Sequence, residues 1–243
     1  MAVLYERIGS AAVITIDRPE TRNAVDWATA ELLSRAWRRF DLDGEALVGI
    51  LTGAHGTFSS GADLKAFDLV ERPEGWLGFT RLHSAKPTIA AVEGHCVAGG
   101  LEMALWCDLR VAGAGAVFGC FERRHGVPLL DGGTQRLPRL VGLSRALDLI
   151  MTGREVHSGE ALAIGLVDRV VPDGRALDTA LELAASIAGF PQETLRADRA
   201  SVYEGLGRPL EEGLAAEARL GRAVLRYAEA GAARFVAESR QAG

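Results

Sequence analysis

Two glycine-containing segments of the chain could present backbone N–H groups to a ligand. In the first, residues 56–65, Gly61 allows a turn that other residues resist, and the small side chain of Ala62 leaves its amide accessible. In the second, Gly99 and Gly100 precede a predicted helix, whose first N–H groups and positive dipole end favour an anion. The spacing of the first segment alone favours a plain strand-to-helix turn, because it matches neither a phosphate-binding loop nor a serine-nucleophile motif.

Three acidic residues accompany these segments. Glu102 falls in the first turn of the helix that follows Gly100, where its charge suits the helix dipole and where a carboxylate could stand beside a backbone donor. Glu122 follows an apolar strand, and Asp131 precedes a Gly-Gly turn into a helix predicted over 134–140. Ion pairs with neighbouring arginines are the commoner fate of such acids, so the residue types alone leave pairing, capping and proton transfer open.

The elements that must position these residues follow from hydrophobic periodicity. Apolar residues at helical spacing after Asp26, a residue type suited to an N-cap, predict an amphipathic helix, and a further helix is predicted after residue 65. The alternation of strands, glycine turns and helices up to Val171 predicts an α/β core with mostly parallel strands, followed by helices that break at Phe190. The predicted strands, of which the first two form a hairpin, cover residues 3–8, 11–17, 46–52, 88–92, 108–112 and 117–120.

Composition excludes several classes of protein. The 243 residues carry 27 Lys and Arg against 32 Asp and Glu, a net charge of −5, unlike the basic surfaces that nucleic acids attract. No apolar run approaches the roughly 18 residues of a membrane-spanning helix, and the first residues lack a signal-peptide pattern, so we expect a cytoplasmic protein. Three cysteines without a Cys-x-x-Cys pair and five histidines without ligand spacing predict no disulfide framework and no metal site.

Several separated motifs together resemble the crotonase family, the enoyl-CoA hydratases and isomerases. The resemblance covers nearly the whole chain, from residue 14 onward. It implies an α/β fold, a crotonase-like spiral of repeated ββα units with a C-terminal helical trimerisation region. The implied domains are an acyl-CoA-binding catalytic core over residues 1–189 and a helical oligomerisation region over 190–243, in a homotrimer or a dimer of trimers. The motifs are residues 58–65, 86–94, 99–102, 107–108, 132–138 and 149–154, with 161–171.

The resemblance assigns roles to the residues that could do chemistry. In the family, two backbone N–H groups form an oxyanion hole for the thioester oxygen of an acyl-CoA, and the matching positions are Ala62 and Gly99. Hydratases of the family use two glutamates, which match Glu102 and Glu122, twenty residues apart. The implied reaction adds water to a 2-enoyl-CoA to give a 3-hydroxyacyl-CoA, with no metal or redox cofactor, and the two glutamates could hold the water between them.

The resemblance also implies contacts to the CoA substrate. Basic residues match positions near the nucleotide phosphates, and the C-terminal helical region can close over the adenine. Trp76, Leu77 and Phe79 lie where the family forms part of the acyl pocket, although burial in the core explains them equally. The implied CoA and substrate contacts are Arg22, Lys65, Gly61, Asp63, Trp76, Arg234 and Phe235.

One segment departs from the hydratase pattern and leaves other functions open. Residues 123–131 differ from the small or apolar residues that hydratases carry there, and related isomerases and dehalogenases place a catalytic aspartate one position before Asp131. Asp131 is therefore a candidate catalytic residue, and capping of the following helix is an equal explanation. The alternatives to a hydratase are an isomerase, or another crotonase-type enzyme that uses Asp131, and a non-catalytic acyl-CoA-binding subunit.

Overall fold

The computed structural model describes residues 2–241, and within that range it leaves out the side chains of residues 229–230, 233–234 and 236–241. The described chain forms two compact units, divided between Ala185 and Ser186. The first unit carries both sheets and the cavity described below, and the second consists of helices. The predicted boundary after residue 189 stays a prediction. None of the helices in residues 2–241 has the length and apolar character that crossing a bilayer requires.

The strands form two sheets. The larger has the order β1-β2-β3-β4-β6-β9, in which β1 and β2 are an antiparallel hairpin and all other neighbours are parallel. The smaller has the order β5-β7-β8, with β5 and β7 parallel. The strands are β1 Val3–Ile8, β2 Ala11–Ile16, β3 Val48–Gly53, β4 Thr88–Val92, β5 His95–Val97, β6 Leu109–Gly113, β7 Val117–Gly119, β8 Val156–His157 and β9 Arg169–Val171.

Eight α-helices cover much of the remaining described chain. The helix predicted after Asp26 is confirmed, and the Asp26 carboxylate accepts a hydrogen bond from the Thr29 amide as an N-cap. Two short 3₁₀ helices cover Pro19–Thr21 and Phe121–His125. The α-helices are α1 Trp27–Leu42, α2 Gly99–Trp106, α3 Gly133–Val141, α4 Leu143–Thr152, α5 Ser158–Ala163, α6 Ala176–Ala188, α7 Gln192–Gly205 and α8 Leu210–Gln241.

The helix predicted after residue 65 is wrong. The chain makes a single turn there, held by the Asp63 carboxylate, which accepts hydrogen bonds from the amides of Lys65 and Ala66. Phe67 then has a φ of 44°, outside the right-handed helical region, and the described chain forms no α-helix between Phe67 and Gly99. The segment between this turn and β4 is therefore irregular, and part of it forms a wall of the cavity.

The core of the first unit lies between the parallel strands and the helices that cover them. All five residues of β4 are buried, as a strand covered on both faces requires. Phe79 belongs to this core, where its ring lies 5.5 Å from that of Trp37 and 4.9 Å from that of Trp106. Such aromatic pairs contribute about 0.5–1.5 kcal/mol beyond the area that they bury. This cluster anchors the irregular segment at Phe79.

Candidate active site

The two glycine-containing segments lie side by side. Ser59 pairs with β5, since its amide donates to the His95 carbonyl and its own carbonyl accepts from the Val97 amide. This pairing brings the turn at Gly61 next to the start of α2. Gly61 has a φ of +88°, and a Cβ placed on it would lie 2.5 Å from the Gly99 nitrogen. Only glycine fits this approach without moving backbone atoms.

The amides of Ala62 and Gly99 have no partner within the described part of the chain. Residues on either side of Ala62 pair with Val25, so in an extended backbone the Ala62 N–H points to the opposite side. Gly99 is the first residue of α2, where the initial N–H groups have no carbonyl one turn earlier. Both residues line one cavity of about 1160 Å³. Two N–H donors are thus available to a ligand in that cavity.

Glu102 is held beside these donors by two backbone hydrogen bonds. It lies in the first turn of α2, is 4% exposed and lines the same cavity. Its Oε1 accepts from the amide of Asp131 at 2.9 Å and from the amide of Gly133 at 2.8 Å. Burial raises the pKa of Glu102 to about 7. The hydrogen bonds from the two amides oppose this rise, and the charges of Asp131 and Glu122 add to it. The side chain can therefore exchange a proton near neutral pH.

Glu122 faces the cavity without any hydrogen-bond donor of its own. It lies in the 3₁₀ helix after β7, is 6% exposed, and neither carboxyl oxygen has a partner among the described residues. Burial raises its pKa, although its own backbone amide and the Arg123 charge oppose that rise. A buried carboxyl group without a partner is costly in its charged form, so Glu122 favours the protonated state or an added ligand.

Asp131 lines the cavity too, but its side chain faces the irregular segment. Oδ1 accepts hydrogen bonds from the Leu77 amide at 3.2 Å and from the Thr80 hydroxyl. The alternative explanation, in which Asp131 caps the following helix, is wrong, because the N-cap of α3 is Gly132 and no side chain caps this helix. The physical reason is that the buried carboxylate has closer donors in the irregular segment than in α3.

The implied CoA and substrate contacts fall into three groups. Arg22 and Lys65 have exposed side chains on the lining of the cavity, and Trp76 is a half-buried part of its wall. Gly61 shapes the turn described above. The Asp63 carboxylate lines the cavity but is already bound by Arg18, whose Nη2 lies 3.1 Å from Oδ2. The Asp63 side chain therefore stabilises this turn through contacts within the protein.

The two C-terminal residues belong to the second unit. Phe235 lies on α8 and is 70% exposed. The side chain of Arg234 lies outside the described residues. Their assignment to adenine binding stays a prediction.

Some residues of the site carry no sequence signal of their own. Gly133 is part of a recognisable Gly-Gly turn, yet its role as a donor to Glu102 depends on a partner 31 residues earlier. Arg124 and His125 also line the cavity, where Arg124 stacks on the Phe121 ring at 3.6 Å. In the sequence alone, these two residues do not differ from solvated surface residues, and both are exposed in the structure. Among the side chains that the structure describes, no group of three His, Cys, Asp or Glu residues is arranged to hold a metal ion.

Comparison with known proteins places the chain in a family. Residues 6–242 match the family described as enoyl-CoA hydratase/isomerase. The chain is 37% identical to enoyl-CoA hydratase EchA19 of Mycobacterium tuberculosis over 231 residues, which cover 90% of this chain and 86% of that protein. It is 38% identical to the short-chain-enoyl-CoA hydratase of Clostridium acetobutylicum, with 88% and 86% of the two chains covered.

Solved structures agree with this placement. The crystal structure of enoyl-CoA hydratase EchA1 from Mycobacterium marinum superposes with a TM-score of 0.93 at 37% identity, and the match covers 98% of this chain and 96% of that one. The two sheets and the C-terminal helices are thus those of a crotonase fold, as the motifs predicted. The chain belongs to the enoyl-CoA hydratase/isomerase family, the crotonases.

Proposed function

We propose that this protein is an enoyl-CoA hydratase, which adds water across the 2,3 double bond of a 2-enoyl-CoA to give a 3-hydroxyacyl-CoA. The observation that carries the proposal is the meeting of two buried carboxyl groups, Glu102 and Glu122, with two unpartnered amides in one cavity. Three relatives at 37–38% identity carry the names enoyl-CoA hydratase, short-chain-enoyl-CoA hydratase and probable enoyl-CoA hydratase, and these names support the same reaction.

In this proposal the amides of Ala62 and Gly99 bind the thioester oxygen. Attack of water on C3 pushes electrons onto that oxygen, and two fixed N–H donors oppose the developing negative charge. Loss of one such donor typically costs about 10²–10³ in kcat. Trp76 and Leu77 contact the acyl chain, and Arg22 and Lys65 approach the phosphates of CoA from the lining of the cavity.

Glu102 acts as the base and Glu122 as the acid. Two hydrogen bonds from backbone amides favour the carboxylate form of Glu102, and a base works best with a pKa close to the operating pH. Burial raises the pKa of Glu122, whose carboxyl oxygens have no hydrogen-bond partner among the described residues, so in this proposal it enters the reaction protonated. The water oxygen bonds to C3 as its proton passes to Glu102. The enolate then collapses as C2 takes the proton of Glu122, and exchange with solvent restores both groups.

The alternative reactions are distinguished by Asp131. An isomerase that uses Asp131 requires its carboxyl group to exchange protons with substrate, whereas Oδ1 here receives two hydrogen bonds from the protein. This observation favours the two-glutamate reaction over one centred on Asp131.

The decisive experiment mixes the purified protein with crotonyl-CoA and follows the absorbance of the conjugated thioester. We expect the absorbance to fall, and we expect Glu102→Gln and Glu122→Gln each to reduce kcat by about 10²–10⁴, because each removes one proton transfer. Glu6→Gln, an exposed change on β1, is the matched control and should leave the rate unchanged. Tight CoA binding without turnover of any enoyl thioester would instead indicate a binding subunit, and migration of a 3-enoyl double bond would indicate an isomerase.

A further inference from the structure

We propose that Asp131 is a positioning residue that, together with Thr80, holds one wall of the acyl pocket against the catalytic groups. The wall is residues 75–80. This inference rests on the proposed function for its kinetic consequences, but the contacts that support it stand independently. The Asp131 side chain accepts hydrogen bonds from the wall, while its backbone amide donates a hydrogen bond to Glu102.

The side chain of Asp131 binds two points of the wall. Its Oδ1 accepts from the Leu77 amide at 3.2 Å and from the Thr80 hydroxyl. Asp131 is 3% exposed and Thr80 is fully buried, so water does not compete for these hydrogen bonds. A hydrogen bond to a charged group in such surroundings is stronger than one between neutral groups.

Gly75 allows the wall to close over this pair. Its φ is +98°, and a Cβ at this position would lie 2.8 Å from the Asp131 Oδ1 and closer still to the Thr80 hydroxyl. Any larger residue would push the wall away from Asp131. The glycine is thus part of the same arrangement.

The backbone of Asp131 ties the wall to the base. Its amide donates to Glu102 Oε1 at 2.9 Å. The Arg136 guanidinium then bridges both sides, because Nη1 donates to the Asp131 carbonyl at 2.8 Å and Nη2 to the Thr80 carbonyl at 2.6 Å. A movement of the wall would therefore displace the residue that orients the Glu102 carboxylate.

The wall also touches the oxyanion donor. Leu77 Cδ1 would lie 2.9 Å from a Cβ on Gly99, so Leu77 packs directly on that residue. Trp76 and Leu77 both line the cavity. The position of the wall consequently limits the space for the acyl chain and the approach of the thioester to Gly99. If Asp131 and Thr80 no longer hold it, short acyl chains lose contacts and longer chains gain room.

Four variants test this role with crotonyl-CoA and 2-decenoyl-CoA. Asp131→Ala removes both hydrogen bonds and Thr80→Val removes the one from the hydroxyl, whereas Asp131→Asn keeps an acceptor and Thr80→Ser keeps a hydroxyl. We expect the first two to raise KM for crotonyl-CoA and to shift the ratio of kcat/KM values about tenfold toward 2-decenoyl-CoA. The two conservative variants should stay within about threefold of the wild-type ratio. General loss of stability would reduce the active fraction, and hence kcat, without changing KM or the ratio.

Amide hydrogen exchange at Leu77 gives a readout that needs no turnover. We expect faster exchange at this amide in Asp131→Ala and Thr80→Val than in the wild type. Thr80→Val nearly conserves volume, so it serves if Asp131→Ala does not fold. If the wild type hydrates no enoyl-CoA, the proposed function fails and the exchange result alone decides the role of the wall.

Two results would overturn the proposal. An Asp131→Asn variant as inactive as Glu102→Gln would show that Asp131 transfers a proton itself. Unchanged selectivity and unchanged Leu77 exchange in both Thr80→Val and Asp131→Ala would show that the hydrogen bonds do not hold the wall.

Discussion

Buried carboxyl groups dominate the chemistry of this site at the scale of single residues. Glu102 and Glu122 lie under 10% exposed in one cavity, and neither forms an ion pair among the described residues. Burying two acids in this way does not favour stability, because the charged form of each carboxyl group loses its hydration. The arrangement favours proton transfer near neutral pH at the expense of folding free energy.

The raised pKa of Glu102 predicts how stability depends on pH. Its pKa rises from 4.5 to about 7 on folding, so between these values the native state keeps a proton that the unfolded state releases. The stabilisation is complete below pH 4.5 and is lost as pH rises through about 7, a change of about 3 kcal/mol. Glu102→Gln cannot titrate at this position. The free energy of unfolding of the variant minus that of the wild type should therefore be about 3 kcal/mol greater at pH 8 than at pH 4.

Urea unfolding of the wild type and of Glu102→Gln between about pH 4 and pH 8 measures this difference in the free energy of unfolding. The matched control is again Glu6→Gln, an exposed carboxylate on β1 whose curve should run parallel to that of the wild type. Parallel curves for Glu102→Gln and the wild type would contradict the raised pKa.

At the scale of elements, the site depends on the close approach of a turn to the start of a helix. The turn at Gly61 and the first residue of α2 contact each other through backbone atoms, with no side chain between them. Local pairing of Ser59 with β5 and of the Ala62 segment with Val25 fixes the turn. The two donors are therefore oriented by the protein alone, as the proposed stabilisation of an oxyanion requires.

Comparison of two glycines with similar backbone conformations distinguishes the cost of backbone strain from the effect of a close backbone contact. Gly61 and Gly56 have φ values of +88° and +70°, but a Cβ on Gly56 meets open space. Both Gly61→Ala and Gly56→Ala should lose about 1–2 kcal/mol from the left-handed conformation. Only Gly61→Ala should also displace the Gly99 amide, and we expect its kcat to fall about 10²-fold or more.

Kinetics with crotonyl-CoA and thermal unfolding of both variants provide the comparison. Equal activity of the two variants, at equal loss of stability, would mean that the contact between Gly61 and Gly99 does not orient the donors.

At the scale of the whole molecule, the helical second unit carries apolar side chains that the described chain leaves exposed. α7 and α8 pack together, with Arg219 and Glu204 joined by an ion pair at 2.6 Å. The exposed apolar residues of this unit are Phe190, Val202, Tyr203, Leu206, Leu210, Leu214, Leu225 and Phe235. A surface of this kind is typical of protein interfaces, and we propose that it supports the trimer or dimer of trimers implied by the family resemblance.

Leu214 and Leu225 test this assembly because they lie three turns apart on the same side of α8. We expect light scattering to give a trimer or hexamer for the wild type and a monomer for Leu214→Glu combined with Leu225→Glu. Ala223→Glu, an exposed change on the opposite side of α8, should leave the mass unchanged. A monomeric wild type at micromolar concentration would exclude the proposed assembly.

The amino-acid sequence by itself determined the elements and the motifs of this protein. The apolar run of β4, the Asp26 cap of α1 and the glycines before α2 are local features, because periodicity and backbone conformation depend on neighbouring residues. The order of the motifs was enough to predict the crotonase fold. The helix expected after residue 65 failed because a single aspartate-capped turn and the helix start share the same local signal.

Only the tertiary structure decided what the acids contact. Asp131 meets Thr80 across 51 positions, and Glu102 meets the amide of Gly133 across 31. Glu122 is left without a hydrogen-bond donor among the described residues by the packing around it. Hydrogen-bond partners and burial arise from elements that are distant along the chain, so no local pattern contains them, and the roles of Glu102, Glu122 and Asp131 depend on that arrangement.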